Sequence, residues 1–262
     1  MLMDSVEKRV VHILWTGGLD STYRVVELSR TDCVIQPHYI VLKRGSIKNE
    51  LRAIRKITNL LQKDGRTKAR IMPPVIVTPD ELEPYPDIQF VWDRLQKKKN
   101  FQSRQYPILT CYARKKNIKL EMGLQFSENG TVVKVLDESV LVDHPEYDDV
   151  MMVDPEKGES EWASYIMFRD FLFPKSLFHK TKREEIDELK QQGYGKVLKH
   201  VWTCYKPILG LPCGHCFPCR SAKKEGAREM VSFVGNLLGA ARLHLQGLFK
   251  QMNSRENSDN TP

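Results

Sequence analysis

Residues 10–22, Val10-Val11-His12-Ile13-Leu14-Trp15-Thr16-Gly17-Gly18-Leu19-Asp20-Ser21-Thr22, constrain the fold more than any other stretch. A short apolar run reads as a buried strand, stops at two glycines, and passes through a hydroxyl-rich start into Tyr23-Arg24-Val25-Val26-Glu27-Leu28, which suits a helix. Strand, tight turn and helix in this order make a ready anion site. The glycines let backbone approach a ligand, and the helix start offers free N–H groups and a positive partial charge. The turn is neither a Walker loop, whose lysine it lacks, nor Gly-x-Gly-x-x-Gly.

The pattern continues downstream. Residues 33–42 are β-rich and suit a strand parallel to the first, with Pro37 placing it near an edge or at a strand start. Residues 48–63 carry a helical stripe of Leu51, Ile54, Ile57 and Leu61, and residues 71–77 form a weaker strand broken by Pro73-Pro74. This alternation predicts an α/β fold with a doubly wound, Rossmann-like parallel sheet and a ligand site at the carboxyl ends of its strands. Pro79, Pro84 and Pro86 predict an irregular loop. Residues 101–117 read as loop into helix and 118–126 as a strand. Glu128-Asn129-Gly130 reads as a hairpin turn, followed by a second strand arm over 131–136. Residues 137–160 are acidic and aperiodic, which predicts a solvated insertion or lid whose carboxylates could also meet magnesium. A helix over 162–171 is expected to end at Phe173-Pro174. Thr181-Lys182-Arg183-Glu184 is a capping box that opens a helix ended by Gly193.

Four of six cysteines fall in Cys204-x8-Cys213-x2-Cys216-x2-Cys219. Four thiolates at this spacing suit a tetrahedral structural zinc site, and Gly214 lets the loop wrap a metal. A [4Fe–4S] cluster draws on similar runs and is the rival. His215 is a spare ligand type, while Cys33 and Cys111 read as core residues. Clustered cysteines of this kind fit a reducing compartment, so a cytoplasmic location is expected. No apolar run approaches the ~20 residues of a membrane span. Forty-one Lys and Arg against 33 Asp and Glu give a net charge of +8, spread over short runs such as Lys43-Arg44, residues 97–99 and residues 114–116. That balance favours anionic ligands, with a solvated basic face as the plain alternative.

Thr16-Gly17-Gly18-Leu19-Asp20-Ser21 resembles the Ser-Gly-Gly-x-Asp-Ser signature of the PP-loop (HUP-like) ATP pyrophosphatases, with threonine in place of the first serine. Trp202-Thr203-Cys204-Tyr205-Lys206, followed by the Cys-Gly-x-Cys-x-x-Cys-Arg run, is similar to the zinc motif of the 7-cyano-7-deazaguanine synthase family within that group. Between them, Glu50-Leu51-x-Ala53, Ser103-Arg104-Gln105 and Thr181-Lys182-x-Glu184-x-Ile186 resemble further family segments in the same order. The resemblance implies ATP held with Mg²⁺ by Thr16, Gly17, Gly18, Leu19, Asp20, Ser21 and Thr22. It implies catalytic roles for Asp20 and Ser21, with Arg104 and Lys182 as cationic partners, and Zn²⁺ on Cys204, Cys213, Cys216 and Cys219. The implied reaction adenylates a carboxylate, 7-carboxy-7-deazaguanine, releases pyrophosphate, and passes the acyl group to ammonia to give the amide and then the nitrile. Family segments near the substrate are replaced here, as by Lys43-Arg44-Gly45-Ser46-Ile47. A paralogue that transfers the acyl group to another amine, one on a macromolecule included, therefore stays open. So do a PP-loop tRNA thiolase and a non-enzymatic zinc and nucleic-acid binding protein; nucleic acid as a direct substrate and a membrane partner are not expected.

Residues 1–200 are thus expected to form the ATP-binding α/β domain, 201–227 the metal motif, and 228–262 a C-terminal helix with a polar tail. Met230, Val234, Leu237, Ala241, Leu245 and Leu248 make a stripe on a helix of residues 227–250, before a tail over 253–262. Gly235, Gly239 and Gly247 weaken that helix, so it needs a surface, either its own domain or the partner of a homodimer.

Overall fold

A computed structural model describes residues 8–42, 45–99, 101, 103–125, 132, 135–157 and 162–259, with side chains for all of these except 81 and 247–259. Its centre is β1 (Val10–Leu14), whose alternate residues Val11 and Ile13 are buried on one face while His12 and Leu14 turn to the other. The chain crosses through α1 (Leu19–Ser29) to β2 (Val34–Ile40), parallel to β1 with Ile13 opposite Pro37. It then runs through α2 (Ile47–Gln62) to the short β3 (Arg70–Ile71) and β4 (Val75–Val77), both parallel to β2.

Pro37 is therefore inside the sheet. By strand alternation its ring nitrogen points toward the β3–β4 line, at the break that Pro73 and Pro74 open, so no ladder bond is lost. The Gln36 amide reaches across to the Pro73 carbonyl at 2.9 Å and bridges the break.

Next come α3 (Pro86–Lys99), α4 (Gln105–Lys116) and β5 (Leu120–Glu121), which pairs in parallel with β1 on the side away from β2. The hairpin β6 (Leu141–Asp143) and β7 (Val150–Val153), α5 (Trp162–Phe168) and β8 (Phe171–Pro174) complete the sheet. Its order is β3-β2-β1-β5-β8-β7-β6, with parallel pairing throughout except at β8–β7 and β7–β6, so that β7 alone of these strands runs against the rest. Then follow α6 (Lys182–Gln191), α7 (Gly195–Leu198), α8 (Phe217–Lys224) and α9 (Phe233–Asp259). Two apolar clusters cover the two faces, one gathering α1, α2, α6 and α7, the other α3, α4 and α5. This is the Rossmann-like α/β sheet, and strand order reverses between β1 and β5. No helix among the described residues is long and apolar enough to cross a membrane.

Several local expectations are corrected. Pro86 does not prolong a loop; it opens α3, where the missing N–H of a first-turn proline is harmless. The described part of the expected lid, residues 137–157, is not aperiodic, since β6 and β7 extend the sheet as an antiparallel hairpin. Phe173 and Pro174 belong to β8 and not to a helix end. The Val135 and Leu136 N–H groups donate to the Val132 carbonyl, a local contact that an extended strand arm does not make; the rest of the expected arm lies outside the described residues. The turn at 128–130 and the run at 43–44 lie outside the described residues.

A buried ion network ties the hairpin to the sheet. Arg24 donates to Glu121 at 2.8 Å and also pairs with Asp149, while Arg9 donates to the same two carboxylates at 2.9 and 2.8 Å. Burial opposes ionisation of Asp149, but the guanidinium of Arg24, helped by Arg9, outweighs it and holds the carboxyl low. Replacing Arg24 with alanine leaves Glu121, 1% exposed, with Arg9 alone. Urea unfolding is expected to record a loss of about 2–3 kcal/mol; a loss under ~0.5 kcal/mol would reduce the network to the level of a surface pair.

Candidate active site and cysteine centre

A cavity of about 710 Å³ opens at the carboxyl ends of β1 and β5, where strand order reverses. Thr16, Gly18, Asp20 and Ser21 line it from the glycine turn, Gln125 from the segment after β5, Gln105 and Tyr106 from α4, and Lys182 from α6. Its far wall is one face of α8, where Phe217, Arg220, Ser221, Lys224 and Glu225 follow three-and-four spacing.

The turn is shaped by packing as much as by access. Gly17 has φ of +72°, and a Cβ on it would lie 2.9 Å from the Ala53 Cβ and 3.1 Å from the Glu50 carbonyl oxygen. Gly17 therefore serves the close approach of α2, while Gly18, at the N-cap of α1, faces the cavity. No side chain caps α1, and its first residues Gly18, Asp20 and Ser21 line the cavity with the positive end of the helix dipole behind them. Leu19 is buried in the core, and Thr22 is spent on the Trp15 indole, whose Nε1 donates to its hydroxyl at 3.1 Å.

Lys182 is at the hub of the polar wall. Its Nζ donates to Asp20 at 2.8 Å and to the Gln125 amide oxygen at 3.2 Å, and lies 3.8 Å from Glu225. Burial works against its charge, yet Asp20, Glu185 and Glu225 around it prevail, so its pKa is raised and the ammonium is fixed. The Thr181 capping box sets the angle at which α6 brings Lys182 in. Arg104 is outside this wall; it is exposed, with its guanidinium 5.9 Å from the Trp92 ring centre.

The four cysteine sulfurs all lie within 4.8 Å of one another, as a metal centre requires. The Cys216 sulfur lies 3.8 Å from that of Cys204 and 3.4 Å from that of Cys219, and sharing protons among the three favours the Cys216 thiolate and pushes the Cys204 and Cys219 thiols up. Four sulfurs so close cannot all carry charge without a cation among them. Backbone N–H groups of His215 and Cys216 point at the Cys213 sulfur at 3.5 and 3.3 Å, as around bound thiolates. The residues present fit a four-thiolate metal ion. His215 is not among the ligands: its Nε2 meets the Asn236 carbonyl oxygen at 2.9 Å and fastens α9.

The centre and the cavity are joined physically. The Trp202 N–H donates to the Gly17 carbonyl at 2.8 Å, and Cys216 and Cys219 hold the start of α8, whose outer face is the cavity wall. C-terminal to it, α9 begins at Phe233, beyond the turn that contains Met230, and runs through the expected polar tail to Asp259. Val234, Leu237 and Leu245 of the expected stripe are exposed, and Leu248 falls where side chains are not described.

Gln125, Arg220, Lys224, Glu225 and Glu185 were not singled out from the sequence. The available signals were the helical spacing after Cys219 and the charge of Glu185 on the stripe that Ile186 and Leu189 bury. Compared with protein-family models and with curated proteins, the chain matches none.

Proposed function

We propose that the cavity binds ATP with its phosphates at the turn of Thr16, Gly18, Asp20 and Ser21, and that the protein adenylates a carboxylate and transfers it to an amine. The observation that carries this reading is the uncapped start of α1 opening, beside Lys182, into a cavity at the strand-order reversal. N–H groups there and the Lys182 ammonium would take the phosphate oxygens, and Asp20 would hold Mg²⁺, which neutralises charge as pyrophosphate leaves. Arg220 and Lys224 on the opposite wall suit an acid substrate, 7-carboxy-7-deazaguanine by the resemblance, with ammonia or another amine as acceptor. Adenylation turns an oxide leaving group into AMP, so the protein's part is positioning and charge neutralisation. Zinc is the metal we assign to the four cysteines, in a structural role. Among the described residues no cysteine lines the cavity, which speaks against a thiolase.

The test is formation of AMP and pyrophosphate from ATP with 7-carboxy-7-deazaguanine and ammonium. Asp20→Ala and Ser21→Ala are expected to cut turnover at least ~10²-fold, the scale of losing one preorganised polar group, while the fold and the metal content stay. Early melting or metal loss in both variants would make the turn structural, and absence of AMP in the parent protein would end the ATP reading.

A further inference from the structure

A second cavity, of about 590 Å³, lies between α2, α6, α7 and the cysteine loop and shares no lining residue with the first. Small ligands fill cavities of roughly 300–1,000 Å³, and this one is within that range. Its floor is apolar, made by Leu198 at the end of α7, Trp202, Leu211 and Met230. All four are half-buried, so apolar surface is left for a ligand to cover. The rim is cationic. Arg52 and Lys56 stand one turn apart on α2, and Lys199 follows α7. Like charges at this helical spacing repel each other. Among the described residues no carboxylate pairs with any of the three, and Glu229, an acid on the same lining, is taken by Arg183 at 3.0 Å and Lys190 at 3.3 Å. Burial, followed by Lys56 and Lys199, lowers the pKa of His200 on the same wall, so the positive charge of the rim rests on Arg52 and the two lysines. Cations gathered over an apolar floor with no counter-charge are complemented by an anion that carries an apolar body.

We propose that this cavity is a second ligand site, separate from the one at the glycine turn, for a small organic anion whose apolar body lies on Leu198, Trp202, Leu211 and Met230 and whose acidic head meets Arg52, Lys56 and Lys199. The two parts of the lining select together. A bare inorganic anion gains nothing from the floor, and a neutral apolar molecule leaves the three cations uncompensated. Because exposed charges dominate the head contact, binding weakens as salt is raised.

The probe is anilinonaphthalene sulfonate, an aromatic anion whose fluorescence rises in apolar surroundings, titrated into the whole protein at low salt. Lys56→Glu and Lys199→Glu are each expected to weaken its binding ~10-fold or more, the scale of losing one charge-assisted contact. Both lysines are exposed, so the fold survives the reversal of charge. Lys224→Glu, the same change on the wall of the first cavity, should leave the affinity as it is in the parent. Phenylnaphthylamine, the same ring system without the sulfonate, should bind the parent ~10-fold more weakly than the sulfonate does. Inorganic phosphate in excess should fail to displace the probe. Unchanged affinity in both Lys56→Glu and Lys199→Glu would overturn the proposal, and so would a loss confined to Lys224→Glu, which places the probe in the first cavity. Displacement by phosphate, or equal binding of the neutral dye, would also overturn it, since one part of the lining would then select nothing. None of these readouts depends on turnover. A protein that makes no AMP and still loses the probe in Lys56→Glu keeps this site and discards the ATP reading alone.

Discussion

Replacing Cys219 with alanine is expected to empty the metal centre and to release α8 and α9 while the α/β body stays folded. Cys219 is fully buried on α8, with its sulfur 3.4 Å from that of Cys216. The centre is small: three buried cysteines with Trp202, Ile208, Cys216 and Val231 against them. So small a cluster cannot replace a structural zinc ion, whose apparent binding energy of about 10–16 kcal/mol rivals the 5–15 kcal/mol that stabilises a whole domain. The two apolar clusters flanking the sheet, by contrast, are far larger and draw few members, such as Ala222, Ala227 and Trp202, from this region. Metal analysis of the parent should give one zinc per chain and no iron, and the variant should give none. Amide exchange should show protection lost over residues 204–246 and kept in β1, β2 and α1. Because α8 is a cavity wall, ATP turnover should disappear with the metal although no thiolate touches the cavity. A variant that keeps one zinc and its C-terminal protection would show that the four sulfurs are not the metal site.

Gly239→Ala is expected to detach α9 at a cost of about 4 kcal/mol, beyond the usual 1–3 kcal/mol of overpacking. A Cβ there would stand 2.1 Å from the Cys213 carbonyl oxygen and 2.6 Å from the His215 ring, and one on Gly235, a turn earlier, 2.2 Å from the Pro212 carbonyl oxygen. Two of these three atoms are backbone of the cysteine loop, which has no rotamer to yield. The glycine edge therefore holds the helix, and the His215–Asn236 contact closes the same seam. Gly65→Ala, with nothing within 4 Å of its added carbon, is the control and should be neutral within ~0.5 kcal/mol. If thermal unfolding of Gly239→Ala matched that control, the seam would have to be loose, and α9 would be held by something other than the glycine edge.

Local periodicity made much of this protein legible from its sequence. The alternation of Val11, Ile13 and Trp15 before two glycines, the stripe of Ile54, Ile57 and Leu61, the Thr181 capping box and the cysteine spacing each depend on neighbours no more than 15 residues apart, and each appears where the sequence puts it. The hairpin at 141–153 and Pro37 inside the sheet were not legible in this way, because which strand comes alongside decides whether a proline or an acidic run is tolerated, whereas the Pro86 helix start follows the local rule for a first-turn proline. The site divides along the same line. Thr16, Gly18, Asp20, Ser21 and Lys182 reach the cavity from their motifs, while Gly17, Leu19 and Thr22 of the same motif are used in packing and Arg104 turns to Trp92. The sequence determined which groups can bind an anion and a metal, since composition and spacing fix donors and acceptors. Only the tertiary structure decided that α8 faces the glycine turn, that Glu185 is enclosed beside Gln125, and that two glycines expected to weaken a helix are its docking edge, because burial and close approach are set by residues far apart in the chain.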